Sequence, residues 1–249
     1  MISSTIIFQS HTSPLPYSWL QACLDSVQAW ADLNRYAYRF IGDALFDPVP
    51  LNILAKTRSQ KVIASDLARL YWVQKFLAEG YQTVVWLDAD FLIFNARAFK
   101  LPDSQYALGR ETWVQFDKNN KLKAYCKVHN AFLMFRSGNS FLDFYTETAE
   151  KLVTNNQGSM PPQFVGPKLL SALHNIALCP VMETAGMLSP LVVQDIVRGQ
   201  GDALTLFKQK STAPIAGANL CASSRDKQLI SDTQMQAAID SLSTHNPFI

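Results

Sequence analysis

The stretch YQTVVWLDADFLIFN, Tyr81 to Asn95, sets two carboxylates, Asp88 and Asp90, inside a run that is apolar on both sides. A carboxylate taken out of water is costly unless it is paired with a cation or coordinates a metal. Two readings are open: a buried strand whose exit happens to be acidic, or a strand that delivers a cation site. TVVWL is apolar throughout, as strands covered on both faces of a parallel sheet tend to be.

Working outward, STIIFQS predicts a first buried strand over Thr5 to Phe8. SWLQACLDSVQAWADLN has apolar residues at helical spacing from Trp19 to Ala31, with Ser18 placed to cap. YAYRFI alternates and reads as a second strand, and VIASDLARLYWVQKFLAEG as a long helix stopped by Gly80. Downstream, HNAFLMF is a strand and SFLDFYTETAEKLVTN an amphipathic helix; GPKLLSALHN is a short helix with Pro167 in its first turn. Strand and helix signals alternate, which predicts an α/β fold with a mostly parallel central sheet. We read one domain over 1–249, with a more polar, peripheral tail at about 226–249.

Composition narrows the class. With 249 residues, 48% of them hydrophobic, the chain can bury a large core. Its 22 basic and 20 acidic residues leave a net charge of +2, which points to no nucleic-acid partner. Cys23, Cys126, Cys179 and Cys221 form no C-x-x-C pair and read as reduced thiols of a cytoplasmic chain. The first residues lack the basic segment of a signal peptide, and no apolar run reaches the roughly 20 residues of a membrane helix. Peripheral attachment at the inner membrane face stays compatible with this.

In doubly wound sheets, ligands bind outside the carboxyl ends of the strands, where Asp88 and Asp90 stand. Hard oxygen donors suit Mg²⁺ or Mn²⁺, which take substrate phosphates and waters as further ligands. The chemistry suggested is a diphosphate held through a metal ion.

These residues carry a resemblance. SDLARLYWVQKFLAEGYQTVVWLDADFLIFN resembles the donor-binding core of GT-A glycosyltransferases. It is most similar to the DXD-containing sugar-transferase family of yeast-type mannosyltransferases, bacterial capsule enzymes and glucosylating clostridial toxins. Ser65-Asp66-Leu67-Ala68-Arg69 and Leu87-Asp88-Ala89-Asp90 match that family's helix and strand motifs. HNAFLMF is similar to its Asn-Ala-Phe strand and VGPKLLSAL to its Gly-Pro helix start. The likeness spans roughly residues 4–225. The loop before the acidic pair lacks the family's Gly-Gly-x-Tyr turn and is closer to glycogenin-like transferases. The late His-x-Trp-x-Ser-x-Trp block is represented only by NLCASSR, which puts Asn219 and Ser223 at metal-ligand positions.

The resemblance implies a Rossmann-like GT-A fold and a metal-dependent hexosyltransferase of polysaccharide biosynthesis. Its donor would be a UDP- or GDP-sugar and its acceptor a glycan or glycolipid, with retention at the transferred carbon. Asp90 is then the direct ligand of Mn²⁺ or Mg²⁺. Asp88 binds it directly or through water, or reaches the ribose. Ser65, Asp66, Arg69 and Asn130 bind the donor, and Arg69 also neutralises phosphate charge. From spacing alone, Asp66 and Arg69 are one helical turn apart and equally form a surface ion pair with Asp66 capping the helix. Asn130 equally reads as a strand amide satisfied by backbone, and His129 as structural. Two rivals are a haloacid-dehalogenase-type phosphatase, whose acidic pair belongs on the first strand, and a relative that binds nucleotide sugar or glycan without turnover.

Overall fold

The computed structural model describes residues 3–248, the side chains of Arg225 and Asp226 apart. In chain order its elements are β1 (Thr5–Gln9), α1 (Trp19–Leu33), β2 (Ala37–Phe40), a 3-10 turn (Gly42–Phe46), α2 (Leu51–Lys56), α3 (Lys61–Ala78), β3 (Thr83–Leu87) and β4 (Phe91–Ile93). There follow β5 (Tyr106–Phe116), β6 (Leu122–Arg136), α4 (Ser140–Asn155), α5 (Pro167–Ala177), β7 (Val181–Met182) and β8 (Ala185–Met187). The chain closes with α6 (Pro190–Arg198), α7 (Asp202–Lys210), β9 (Gly217–Asn219), α8 (Ser223–Asp226) and α9 (Asp232–His245).

The fold is α/β. Among the described residues the main sheet runs β2-β1-β3-β6-β5-β7, and a small one runs β4-β9-β8. Three of the five neighbouring pairs in the main sheet are parallel, β1 with β2 and β3, and β5 with β7. β6 runs against both β3 and β5. All five residues of β3 are buried, and the pleat divides them between two cores. Val84 and Trp86 face a cluster with Leu67, Leu70, Val73 and Phe76 of α3. Val85 and Leu87 face Val27 and Trp30 of α1. Each buried aliphatic side chain contributes about 1.5–3 kcal/mol, so Val85→Asp would break the strand where the sheet is covered twice. α3 ends at Ala78 with Glu79 as its C-cap, and Gly80 follows with φ +102°, a conformation open to glycine without strain.

Two expectations are corrected. Ser18 is itself helical (φ −62°, ψ −33°) and makes no capping bond. The start of α1 is closed instead by main-chain bonds from Leu20 to Tyr17 and from Gln21 to Ser18. The polar tail is not peripheral: α9 buries Met235, Ala238, Ile239 and Leu242 in a third core with Trp19 of α1 and Val192 of α6. Its polarity belongs to the opposite face of the helix, and Trp19 Nε1 donates to Asp232 Oδ1 at 3.2 Å.

A long hairpin also stands where the sequence predicts a strand over HNAFLMF alone. β6 begins seven residues earlier, at Leu122, and pairs with β5 across a turn at Asp117 to Lys121. Asp117 Oδ1 accepts from the Asn119 and Lys121 N–H groups, and Asn120 takes φ +55°, the turn chemistry of a short polar side chain.

Candidate active site

The acidic pair is a tight turn between β3 and β4, held by main-chain bonds on both sides. Asp88 N–H donates to Ala131 O at 3.0 Å, and Phe91 N–H to Asp88 O at 3.0 Å. Leu220 N–H donates to Asp90 O at 2.9 Å, and Gln9 Nε2 to Asp88 O at 2.9 Å. Tyr38 O–H in turn donates to Gln9 Oε1 at 3.1 Å. The carboxyl ends of β1 and β3, the kink of β6 and the exit of β9 therefore fix where the two carboxylates stand.

Behind them lies a charged cluster on α3. Asp66 is 3% exposed and Arg69 11%, which excludes the surface ion pair. The helix begins at Lys61, so Asp66 lies in its second turn and caps nothing. Asn130 Nδ2 donates to Asp66 Oδ1 at 2.7 Å, and Arg69 NH1 donates to Asn130 O at 3.1 Å. Arg69 NH1 stands 3.5 Å from Asp66 Oδ1, and NH2 stands 3.4 Å from Asp88 Oδ1. The guanidinium also sits 5.1 Å from the centre of the Trp86 ring, whose Nε1 donates to Asp88 Oδ1 at 2.7 Å.

Burial raises the Asp66 carboxyl above its ordinary range, against the pull of Arg69 and Asn130. Burial disfavours the Arg69 cation, but Asp88 and Asp66 more than compensate and hold it above its ordinary value. Asp66 Oδ2 and Arg69 Nε are buried without a hydrogen-bond partner. Gly166 covers that oxygen: a Cβ there would lie 2.5 Å from Asp66 Oδ2 and 2.7 Å from Asn130 Nδ2. The glycine is required by close approach, which explains why it precedes Pro167 at the start of α5.

Asn219 ties the front of the site together. Its Nδ2 donates to Asp90 Oδ1 at 2.6 Å and reaches Asp88 Oδ2 at 3.4 Å. Ala222 N–H donates to Asp90 Oδ2 at 2.7 Å. Burial first, and the neighbouring Asp88 second, push the Asp90 carboxyl up to about 6. A divalent cation would relieve that penalty, so the pair fits a hard metal ion whose remaining positions are filled by substrate oxygens and water. Among the described residues no three His, Cys, Asp or Glu side chains form a metal cluster.

The structure thus brings together Asp66, Arg69, Asp88, Asp90, Asn130 and Asn219. Asn219 Oδ1 accepts from Cys221 N–H at 2.7 Å, so in this arrangement it shows the acidic pair an N–H group. As placed, it orients the carboxylates. Ser223 is exposed at the start of α8, and Ser65 Oγ donates back to Lys61 O at 3.0 Å. His129 is structural: Ala131 N–H donates to its Nδ1 at 3.1 Å, Nε2 lies 3.2 Å from Ala185 O, and burial lowers its pKa to about 4. Reading the sequence missed Gln9, the indole of Trp86 and the close approach of Gly166. A glutamine closing an apolar strand and a glycine before a helical proline were the available signals.

No family model matches the chain, and no curated protein matches it. Among solved structures it is similar to a glycosyltransferase involved in the glycosylation of the major capsid of PBCV-1, at 12% identity and a TM-score of 0.48, covering 93% of this chain and 98% of that one. It is similar also to the galactosyltransferase LgtC in complex with donor and acceptor sugar analogs, at 14% identity and 0.45, covering 96% of each chain. An active-site mutant of LgtC matches at 13% and 0.46 with the same coverage. At such identities the chemistry must be read from this chain's own residues.

Proposed function

We propose that the chain is a metal-dependent glycosyltransferase that moves a sugar from a UDP- or GDP-sugar to a hydroxyl of a glycan or glycolipid, with retention. One observation carries the reading: Asp88 and Asp90 converge on one amide at the carboxyl end of β3, with the Arg69 cation 3.4 Å from Asp88. In this reading Asp88 and Asp90 hold Mn²⁺ or Mg²⁺. The bound ion supplies Lewis-acid stabilisation of the charge that grows on the leaving diphosphate. Arg69 adds a fixed cation on the same side. Asp66 is a positioning residue, since it holds Arg69 and the Asn130 amide from a buried site. Asn130 Nδ2 is engaged by Asp66, which leaves its amide oxygen to accept from a donor hydroxyl. Asp66, Asp88 and Asp90 each hold a cation or amide already, which favours retention with the donor phosphate taking the acceptor proton.

The test is calorimetric titration of Mn²⁺ with and without UDP or GDP. Two carboxylates cannot fill an octahedral shell alone, so the nucleotide should tighten manganese binding by about tenfold or more. Equal affinity in both titrations overturns the reading. The N–H that Asn219 turns to the acidic pair favours one alternative, a relative that binds nucleotide sugar without turnover. Manganese-dependent hydrolysis of a donor by the wild-type protein excludes it. No helix among the described residues is long and apolar enough to cross a membrane.

A further inference from the structure

Beyond Gly109 the β5–β6 hairpin has two unlike faces. Val114, Leu122 and Ala124 pack into the core built by α6, α7 and α9, and Cys126 Sγ lies 4.0 Å from Lys210 O at the end of α7. The other face carries three cross-strand pairs in register: Glu111 with Lys127, Trp113 with Tyr125, and Gln115 with Lys123. Tyr125 is 37% exposed, and Trp113 is half-buried, its Nε1 donating to Gln115 Oε1 at 3.0 Å. The five residues from Glu111 to Gln115 span about 14 Å, room for a short chain rather than a single ring.

The face adjoins the site. The hairpin leaves the sheet where Gly109 pairs with His129, the neighbour of Asn130. The face is also nearly neutral. Lys127 stands opposite Glu111, and Lys123 Nζ pairs with Asp117 Oδ2 at 2.9 Å. The charges of Glu111, Lys127, Lys123 and Asp117 sum to zero, so these four side chains offer a polyanion no net attraction. Aromatic rings flanked by amide, carboxylate and ammonium groups suit a pyranose, whose C–H face packs on the ring while its hydroxyls bond at the rim.

We propose that this outer face, with Trp113 and Tyr125 as its stacking platforms, is the docking surface for a neutral oligosaccharide acceptor. The inference rests on the transferase reading of the neighbouring site. Its test follows the Trp113 indole N–H signal by NMR, assigned from a Trp113→Phe spectrum, during titration with maltotriose, mannotriose, galactotriose and chitotriose to about 10 mM each. At least one of them should shift that signal, and Trp113→Ala and Tyr125→Ala should each weaken its binding by about tenfold. Ile176→Ala, on exposed α5 surface, should bind as the wild type does. Circular dichroism checks that the variants are folded. No shift with any trisaccharide overturns the proposal, as does a shift that survives Tyr125→Ala unchanged. So does sedimentation showing a dimer that Trp113→Ala dissociates, which would make the face an interface between copies. A trisaccharide bound at Trp113 by a protein that hydrolyses no nucleotide sugar would uphold the platform and refute the transferase reading alone.

Discussion

Replacing Asp90 by asparagine should raise the stability of the metal-free protein while abolishing transfer. The Asp90 carboxyl is moved from an ordinary 3.8 to about 6. At about 1.4 kcal/mol per pH unit, its ionisation costs the folded state about 3 kcal/mol. The sign follows from proton binding: the folded state holds the proton more tightly, so the penalty is absent below 3.8 and complete only above about 6. Asparagine removes the charge but keeps one acceptor for two donors, Asn219 Nδ2 and Ala222 N–H. Losing one of those bonds returns about 1–1.5 kcal/mol. The net gain at pH 8 is about 1.5–2 kcal/mol, or about 3–8 °C in Tm for a chain of this size. Thermal unfolding in EDTA at pH 8 and pH 5 reads it, with the gain shrinking at pH 5 where wild-type Asp90 is largely protonated. An equal gain at both values, or a lower Tm at pH 8, would refute the strained carboxylate. Near-wild-type turnover in the variant would refute the cation site.

Arg69→Ala should cost about 3–5 kcal/mol in denaturant unfolding, because it strands the buried Asp66 carboxylate; a loss below about 1 kcal/mol would equate the pair with exposed ones. Gly166→Ala should destabilise by about 1–3 kcal/mol by driving a methyl group against Asp66 and Asn130, and should weaken nucleotide-sugar binding in calorimetry. Unchanged binding would remove the Asp66–Asn130 pair from the donor site. His129 should titrate by NMR near 4. Its neutral form stabilises the fold above about 6.5, and up to about 3 kcal/mol is lost as pH falls through that window toward 4; a midpoint near 6.5 would show the ring to be solvated.

What was legible in the sequence was what local pattern decides. β3 and α3 were readable because their apolar residues repeat at the periods of strand and helix. The same rule could have placed α9, since Met235, Ala238, Ile239 and Leu242 follow helical spacing, but polar neighbours outweighed them. The hairpin was lost because β6 outside the core alternates weakly, with Lys123, Tyr125 and Lys127 on its open face. Spacing showed that Asp66 and Arg69 face one way. Their burial depends on Gly166 and Asn130, which lie 100 and 64 residues from Asp66 in the chain.

Trp86 shows how the apolar run and its acids belong together. Its position in TVVWL marks it as core, and it is core, 3% exposed, edge-on to Phe8 and in one cluster with Phe76. Yet Asp88 lies two residues on, and the indole N–H reaches its carboxylate at 2.7 Å. The same ring carries the Arg69 guanidinium, which stands 3.4 Å from that carboxylate. One side chain therefore packs the sheet against α3, donates to Asp88 and seats the cation that offsets its charge. The apolar run tolerates Asp88 because the strand brings its own donor, and α3 brings the counter-charge to the same ring. Asp90 lacks both aids; its partners are an amide and a main-chain N–H, neither of them charged. Of the two carboxylates, Asp90 is thus the one left short of positive charge, and the one whose ionisation a bound divalent cation would favour most.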